Sequence, residues 1–413
     1  MKILSNPTIT VVDARMGRGK SSAAIRYMNE NKGRKRFVYI TPFLDEVDRI
    51  CERCDFDQPG SDECTKLSDL KRLLSAGKNV STTHALFYMM DNEAMELAKS
   101  KCYSLIVDES IEAISQEKCT QGDINLLLTG ENPLAVKDED GKIRWIRNEY
   151  SGIFSDFKEL ASAGRLYNLD SMLFRVLNPD LLRSFDKVFM LTYMFEGQFQ
   201  RAYLECFGFD YHVVGIKSDE DGFYFSDKPD NPPPIDYSGL IQISDNERWN
   251  KLGNDYRALS RGWYRRHKYD SQNAKQLRNS MYNFFRKSGD PSTRMWTSVI
   301  EAKDKLIDAK TGRFRDSFLQ ICSRATNDYR NKTDVAYMAN RFIDKDIAKF
   351  FAWRNIKIDQ DTYALSEMLQ WIWRSAIRDE KPIRLYIPSK RMRELFIKWM
   401  DAVSKGGPVD LHS

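Results

Sequence analysis

Lys20 and Ser21, set behind Gly17 and Gly19, and the acid pair Asp108-Glu109 at the end of an apolar run are the residues whose types and spacing point most directly to chemistry. The stretch Ala14-Arg15-Met16-Gly17-Arg18-Gly19-Lys20-Ser21 fits the phosphate-cradling pattern G-x-x-x-x-G-K-[ST] at its last three positions, with Ala14 in place of the first glycine. Backbone N–H groups at a helix start donate to phosphate oxygens, and glycines let the chain come close enough to do so. Gly17, Arg18, Gly19 and Ser22 would line the cradle, Lys20 would bind the β- and γ-phosphates, and Ser21 would hold magnesium. Asp108 would ligate the same ion through water, and Glu109 would polarise the attacking water. Paired acids at a strand end are common by chance. About ninety residues after a phosphate loop they become informative, and the chemistry they imply is ATP hydrolysis with Mg2+.

Both groups need elements to present them. Residues 8–14 are a β-branched run that reads as a buried strand, and SSAAIRYMNEN after the glycines reads as a helix. Strands are expected at 36–42, 104–109 and 187–194, with a strand running into a turn over NVSTTHALF. Helices are expected over LDEVDRICERC and LSDLKRLLSAG. Strands alternating with helices imply a parallel sheet covered on both faces, whose carboxyl edge is the ligand edge. Residues 111–186 break the rhythm and read as an insertion, with a hairpin turning at Asp140-Gly141.

The proline-rich stretch 226–239 marks a boundary, since three consecutive prolines fit neither a helix nor a central strand. The expected domains are therefore 1–225 and 236–413. The second is expected to carry strands at GLIQIS, TRMWTSVI, FLQICSRATND, DVAYMANRF and RLYIPS. It is also expected to carry basic helical stretches around 246–265 and 272–287, a helix running through TYALSEMLQWIWRSAIRD, and a last helix over RMRELFIKWM.

Composition sets the background. The chain has 413 residues, 42% hydrophobic and 30% charged, and a net charge of +5 that permits a nucleic-acid partner without arguing for one. No apolar run nears the roughly 20 residues a membrane span needs, and the N-terminus does not read as a secretion signal. A cytoplasmic protein is the expectation, in bacteria or in a phage-infected cell. Seven scattered cysteines fit a reduced compartment. Cys51, Cys54 and Cys64 offer three thiolates where zinc takes four ligands, with His84 a conceivable fourth, so ordinary thiols are the expected reading.

These motifs resemble those of superfamily 2 helicase-type ATPases of the DEAD/DEAH-box breadth, in which the first loop glycine is often replaced. The resemblance runs from residue 8 to about 390. It implies two RecA-like α/β domains with parallel sheets and the nucleotide in the cleft between them. Residues 39–43 (YITPF) and Ser81-Thr82-Thr83-His84 resemble segments that touch nucleic-acid backbone. Asp108-Glu109-Ser110 is similar to the family's acid box, and Leu191-Thr192-Tyr193-Met194 resembles the segment that couples hydrolysis to motion, with Tyr193 in place of a small residue. In the second domain Arg324-Ala325-Thr326-Asn327 resembles a further motif. Gln370, Arg374 and Arg378 resemble the arginine-finger motif, with its second arginine four residues after the first instead of three. On one continuous helix these three would share a side.

The function this implies is an ATP-dependent helicase or translocase on nucleic acid, DNA more than RNA, of the phage replication or viral origin-binding kind, with replication proteins as possible partners. Two other readings use the same motifs: a nucleotide-gated nucleic-acid-binding switch that does not unwind, and a terminase-like packaging ATPase. The packaging motor would need a later cluster of nuclease acids, which the sequence lacks. Basic and aromatic residues gather at 257–287, including Arg261, Trp263, Tyr264, Arg265, Arg266, His267 and Lys268. They read equally as a surface that tracks phosphates and stacks bases, or as a solvated helix face over core aromatics. Trp371 and Trp373 read as core.

Overall fold

Six parallel strands form the main sheet, in the order Tyr211–Val214, Thr8–Asp13, Lys187–Thr192, Tyr103–Asp108, Arg36–Thr41, Val80–Thr83. The structure is a computed structural model that describes residues 5–61, 64–229, 232–287, 289–321, 329–407 and 409–411. The chain divides into two compact units, one of Met1–Ala14, Gly19–Asp230 and Asp344–Ile358, the other of Arg15–Arg18, Asn231–Ile343 and Asp359–Ser413.

In the first unit the inner strands are buried on both faces, as a parallel sheet requires, while the edge strand Tyr211–Val214 is partly exposed. Alternate residues feed two cores. Ile9, Val11, Val38, Ile40, Leu105, Val107, Val188 and Met190 point to one, and Val12, Phe37, Tyr39, Ile106, Phe189 and Leu191 to the other. Helices Lys20–Glu30 and Leu44–Cys54 cover the second face with Ala23, Ala24, Met28, Ile50 and Cys54. The other face is covered by helices that include Lys66–Ser75, Asn92–Ser100 and Phe199–Cys206. Helix Lys345–Ala352 also contributes here, through Phe350 and Phe351. That helix lies far along the sequence, where a strand-and-helix reading assigns it to the second domain.

The interruption between 111 and 186 is a small structure of its own. Strands Ile114–Glu117, Met172–Val176 and Leu166–Leu169 pair antiparallel. Hairpin Ala135–Lys137 and Ile143–Trp145 turns through Gly141, whose φ of 84° only glycine adopts readily. Ile124, Leu127, Ala135, Ile143, Leu166 and Leu173 form a separate core.

The second unit carries a four-stranded parallel sheet in the order Ile241–Ile243, Ile383–Tyr386, Asp334–Tyr337, Arg294–Thr297. Helices Gln272–Arg286, Gln360–Ile372 and Lys390–Ser404 supply Phe284, Phe285, Leu369, Trp371, Phe396 and Trp399 to its interior.

Three expectations are corrected. FLQICSRATND forms no strand among its described residues. Phe318 makes only an isolated bridge to Trp296, and Arg324-Ala325-Thr326-Asn327 lies outside the described residues. The turn after Val80–Thr83 is a helix, His84–Tyr88, whose Leu86 N–H donates to Thr83 Oγ1. The long helix stops at Ile372 instead of running through Asp379. Ser375, fully buried, donates its hydroxyl to the Ile372 carbonyl at 2.7 Å and so satisfies a helix-end acceptor. The Ala376 N–H turns away to the Lys332 carbonyl, and a 3-10 turn, Ala376–Asp379, follows. No helix among the described residues is long and apolar enough to cross a membrane.

Candidate active site

The carboxyl edge of the first sheet brings the first-domain candidates together. Asp13 is the register partner of Thr192, and Leu191 that of Asp108, so the phosphate loop, the acid pair and the 191–194 segment leave the sheet side by side. The strand Lys187–Thr192 separates the loop strand from the acid strand, an order the sequence did not supply.

The loop turns on two glycines with positive φ, 77° at Gly17 and 73° at Gly19. Gly19 is the N-cap of helix Lys20–Glu30, which has no acid in its first turn. Its N-terminal dipole and N–H groups therefore favour an anion. Lys20 Nζ donates to the Ala14 carbonyl at 2.6 Å, which holds the ammonium inside the curve of the loop. Lys20 and Ser21 are half-buried, and Ser22 is exposed.

Ser21 Oγ donates to Asp108 Oδ2 at 3.2 Å, so the loop hydroxyl and the strand carboxylate face each other. Magnesium is held by few protein oxygens and keeps several of its waters, so Ser21 could ligate it directly and Asp108 through one of those waters. The donor pair therefore suits that ion, whose remaining ligands would be phosphate oxygens and water. Tyr39, fully buried, donates its hydroxyl to the same Asp108 oxygen at 2.6 Å. Burial raises the Asp108 pKa, and the Tyr39 hydrogen bond opposes it; Glu109 raises it further, while Lys20 and Ser21 lower it. The Tyr39 phenol is itself pushed well up by burial and by the Asp108 charge.

Glu109 is exposed and sits at φ 63°, a left-handed conformation that costs a residue with a Cβ about 1–2 kcal/mol. Its N–H donates to the Leu191 carbonyl at 3.2 Å. Glu109 is thus exposed beside a buried Asp108, whose pKa its charge raises.

Sequence reasoning missed several partners. The Asp13 carboxylate accepts from the N–H groups of Met194 (2.8 Å) and Phe195 (3.1 Å). Burial raises its pKa against those two hydrogen bonds and the Lys20 charge. Gln198, also buried, accepts from Ser110 Oγ at 3.0 Å, donates to the Tyr193 carbonyl at 2.8 Å and pairs with Thr192 Oγ1. An acid ending the loop strand was the one available signal for Asp13. Gln198 carried none.

The segments matched to nucleic-acid contacts are largely interior. Tyr39, Ile40, Thr41, Ser81, Thr82 and His84 are buried, and His84 Nε2 lies 3.0 Å from the Asp108 carbonyl. His84 is thus tied to the acid strand and not to the cysteines. Cys51 and Cys54 lie on helix Leu44–Cys54, and Cys64 is exposed.

The finger candidates do not share a helix face. Gln370 is half-buried in the last turn of Gln360–Ile372, Arg374 lies beyond its end, and Arg378 is exposed in the 3-10 turn. Arg374 Nη1 is buried with no hydrogen-bond partner among the described residues. In the basic stretch the aromatics face inward. Trp263 and Tyr264 are buried, while Arg261 and Arg265 pair with Glu301 at the surface. Trp371 and Trp373 are likewise buried.

Comparison with known proteins agrees with this architecture. The model of the YonV C-terminal Rossmann-like domain matches residues 236–400. The chain is 33% identical to the SPbeta prophage-derived uncharacterized protein YonV of Bacillus subtilis, over 95% of this chain and 98% of that one. Its structure is similar to apo XPD, with a TM-score of 0.50 and 12% identity over 97% of this chain and 96% of the other. It is equally similar to Xpd4 of S. tokodaii, with a TM-score of 0.50 and 12% identity over 95% and 94%. At such identities the likeness is one of fold: two RecA-like α/β domains with parallel sheets.

Proposed function

The chain belongs to the YonV family, and for this member we propose an ATP-driven helicase or translocase that couples Mg2+-dependent hydrolysis to movement on nucleic acid, DNA before RNA. One observation carries the reading. Ser21 and Asp108 face each other at 3.2 Å across the carboxyl edge of a parallel sheet, with Lys20 in the adjoining loop and Glu109 one residue beyond. That is the donor set a magnesium–nucleotide needs, at the edge where open α/β sheets bind ligands.

In this reading the N–H groups of residues 17–21 and Lys20 hold the phosphates, and Ser21 and Asp108 hold the cation. Glu109 orients and deprotonates the attacking water. The buried Tyr39 hydroxyl keeps Asp108 aimed at the loop. Bound magnesium would neutralise charge developing on the transferring phosphoryl group. An arginine of the second unit, Arg374 or Arg378, would add a planar charge to the same transition state. The XPD-like fold supports a helicase or translocase; a role in phage DNA replication, with replication proteins as partners, is the part of the proposal that rests on the motifs alone.

The test is ATP hydrolysis by the full chain, with and without single-stranded DNA or RNA, alongside displacement of a labelled strand. Hydrolysis that needs Mg2+, rises with nucleic acid and vanishes in Lys20→Ala is expected. Wild-type turnover no faster than that of Lys20→Ala would end the ATPase reading. Stimulated hydrolysis without displacement would reduce it to a translocase or switch.

A further inference from the structure

We infer that Phe223 is the stacking platform for the nucleobase of the bound nucleotide, an inference that rests on the phosphate-loop reading above. Phe223 belongs to the hairpin Ile216–Asp219 and Gly222–Phe225, in which Ser218 opposes Phe223 and Ile216 opposes Phe225. Alternate residues of a strand share a face, so Phe223 and Phe225 point the same way. Phe225 is spent on the core: it stacks on Phe189 at a 5.6 Å centroid separation and 16° between planes, and lies 5.6 Å from Tyr27. Phe223, two residues nearer the hairpin tip, packs on the edge of the same core and meets the phosphate loop.

There it lies against Gly19. A Cβ at Gly19 would overlap the Phe223 ring, with Cε2 at 2.7 Å, so ring and glycine α-carbon are in contact and a side chain at 19 has no room. The hairpin is held over the loop helix by Arg26, which donates to Asp219 Oδ1 at 2.6 Å and to the Gly222 carbonyl at 3.4 Å, with its guanidinium 5.4 Å above the Tyr224 ring. These contacts fix the height of the ring above the loop. Phe223 and Phe225 are both half-buried against the same core, and of the two it is Phe223 that lies on the phosphate loop.

A half-open aromatic ring beside the glycine that cradles phosphate offers a flat apolar face within one nucleotide length of the phosphates. Stacking on a phenyl face selects for a base over no base and discriminates little among bases, because every base has a π-face.

The experiment measures binding of ATP and of inorganic tripolyphosphate, each with Mg2+, to the full-length wild type, Phe223→Ala and Phe223→Trp by calorimetry. Phe223→Ala is expected to weaken ATP roughly tenfold to a hundredfold, the range for losing one aromatic–base stack, and to leave tripolyphosphate within about twofold. Phe223→Trp is expected to hold ATP at wild-type affinity, with tryptophan emission quenched by ATP and not by tripolyphosphate. Equal weakening of both ligands by Phe223→Ala would make the ring a mere buttress of the loop and overturn the inference, with the phosphate-loop reading intact. Wild type binding neither ligand would remove that reading and the inference with it.

Discussion

Replacing Glu109 tests strain and chemistry at one position. Its φ of 63° places a residue with a Cβ in a conformation that costs about 1–2 kcal/mol. Glycine adopts it freely but loses about 0.4–1 kcal/mol more chain entropy on folding. The difference leaves Glu109→Gly more stable than wild type by roughly 0.5–1 kcal/mol, because the Glu109 side chain is exposed and its removal opens no cavity. For a unit of this size that is a rise in Tm of about 1–4 °C. Glu109→Gln keeps the strained backbone and nearly the same shape, so its Tm should match wild type. If Glu109 is the base that activates water, both variants should lose about 10²–10⁴-fold in hydrolysis rate while retaining ATP. The assays are calorimetric melting and single-turnover hydrolysis at saturating ATP. A Glu109→Gly variant less stable than wild type would show that the backbone is not held against its preference. A Glu109→Gln variant hydrolysing at the wild-type rate would remove the residue from the chemistry.

Lys20→Ala should abolish turnover and leave the chain folded, since the ammonium packs no core and its loss removes only the bond to the Ala14 carbonyl and the charge near Asp13 and Asp108; retained hydrolysis would sink the phosphate-loop assignment. Tyr39→Phe removes the donor to the buried Asp108 carboxylate, and a hydrogen bond to a charged group is worth about 1.5–3 kcal/mol. The Mg2+ concentration giving half-maximal hydrolysis should therefore rise tenfold or more, and an unchanged Mg2+ titration refutes that role. Between Arg374→Ala and Arg378→Ala, the former should cost more turnover, roughly 10³–10⁵-fold with ATP binding little changed. A buried, unpartnered guanidinium nitrogen is expensive to keep without a ligand, and Arg378 is exposed. Arg374→Lys should not rescue, and hydrolysis surviving in both alanine variants contradicts the assignment. Burial pushes the thiols of Cys51, Cys54 and Cys206 up to about 11, so they stay protonated at pH 8 and their modification should quicken only as pH climbs toward that value. Exposed Cys64 and Cys102 should react first in a peptide-mapped labelling series, and the reverse order would refute the burial argument.

Strands with continuous apolar runs were legible because a buried parallel strand needs nothing else: the runs 8–14, 36–42, 104–109 and 187–194 each fall within two residues of an observed strand, and with them come the positions of the loop and the acid pair. What the sequence hides is lateral order. Tyr39 sits opposite Ile106 across paired strands, two residues short of Asp108, and only that pairing aims its hydroxyl at the carboxylate. Helix periodicity read past Ile372 because Trp373, Arg374 and Ile377 continue the pattern, whereas the stop is a single buried hydroxyl at Ser375. The basic stretch at 257–287 offered two equal readings because charge and ring spacing look the same whether the rings face solvent or core. Burial of Trp263 and Tyr264 separates them. Helix Lys345–Ala352 belongs to the first unit through Phe350 and Phe351, a long-range choice no local pattern encodes.

The loop that leaves strand Lys187–Thr192 is bonded on both sides. Asp13, at the end of the phosphate-loop strand, holds the N–H groups of Met194 and Phe195. Gln198, just beyond, takes Ser110 from the acid box and returns to Thr192 and the Tyr193 carbonyl. Glu109 closes the set through the Leu191 carbonyl. Buried polar groups held this way resist partial rearrangement, since breaking one bond strands a partner away from water at about 1–3 kcal/mol. A change in charge between Lys20 and Asp108 therefore has two courses: to leave the loop where it is, or to move it as a block with several bonds remade together. The second behaviour is discrete and two-state, which is what conversion of phosphate chemistry into displacement demands. In such a design the strand inserted between the phosphate loop and the acids is the element that carries the signal, and Gln198→Leu should uncouple it. Hydrolysis would persist while its stimulation by nucleic acid falls, and equal loss of basal and stimulated rates would instead assign Gln198 to holding the site together.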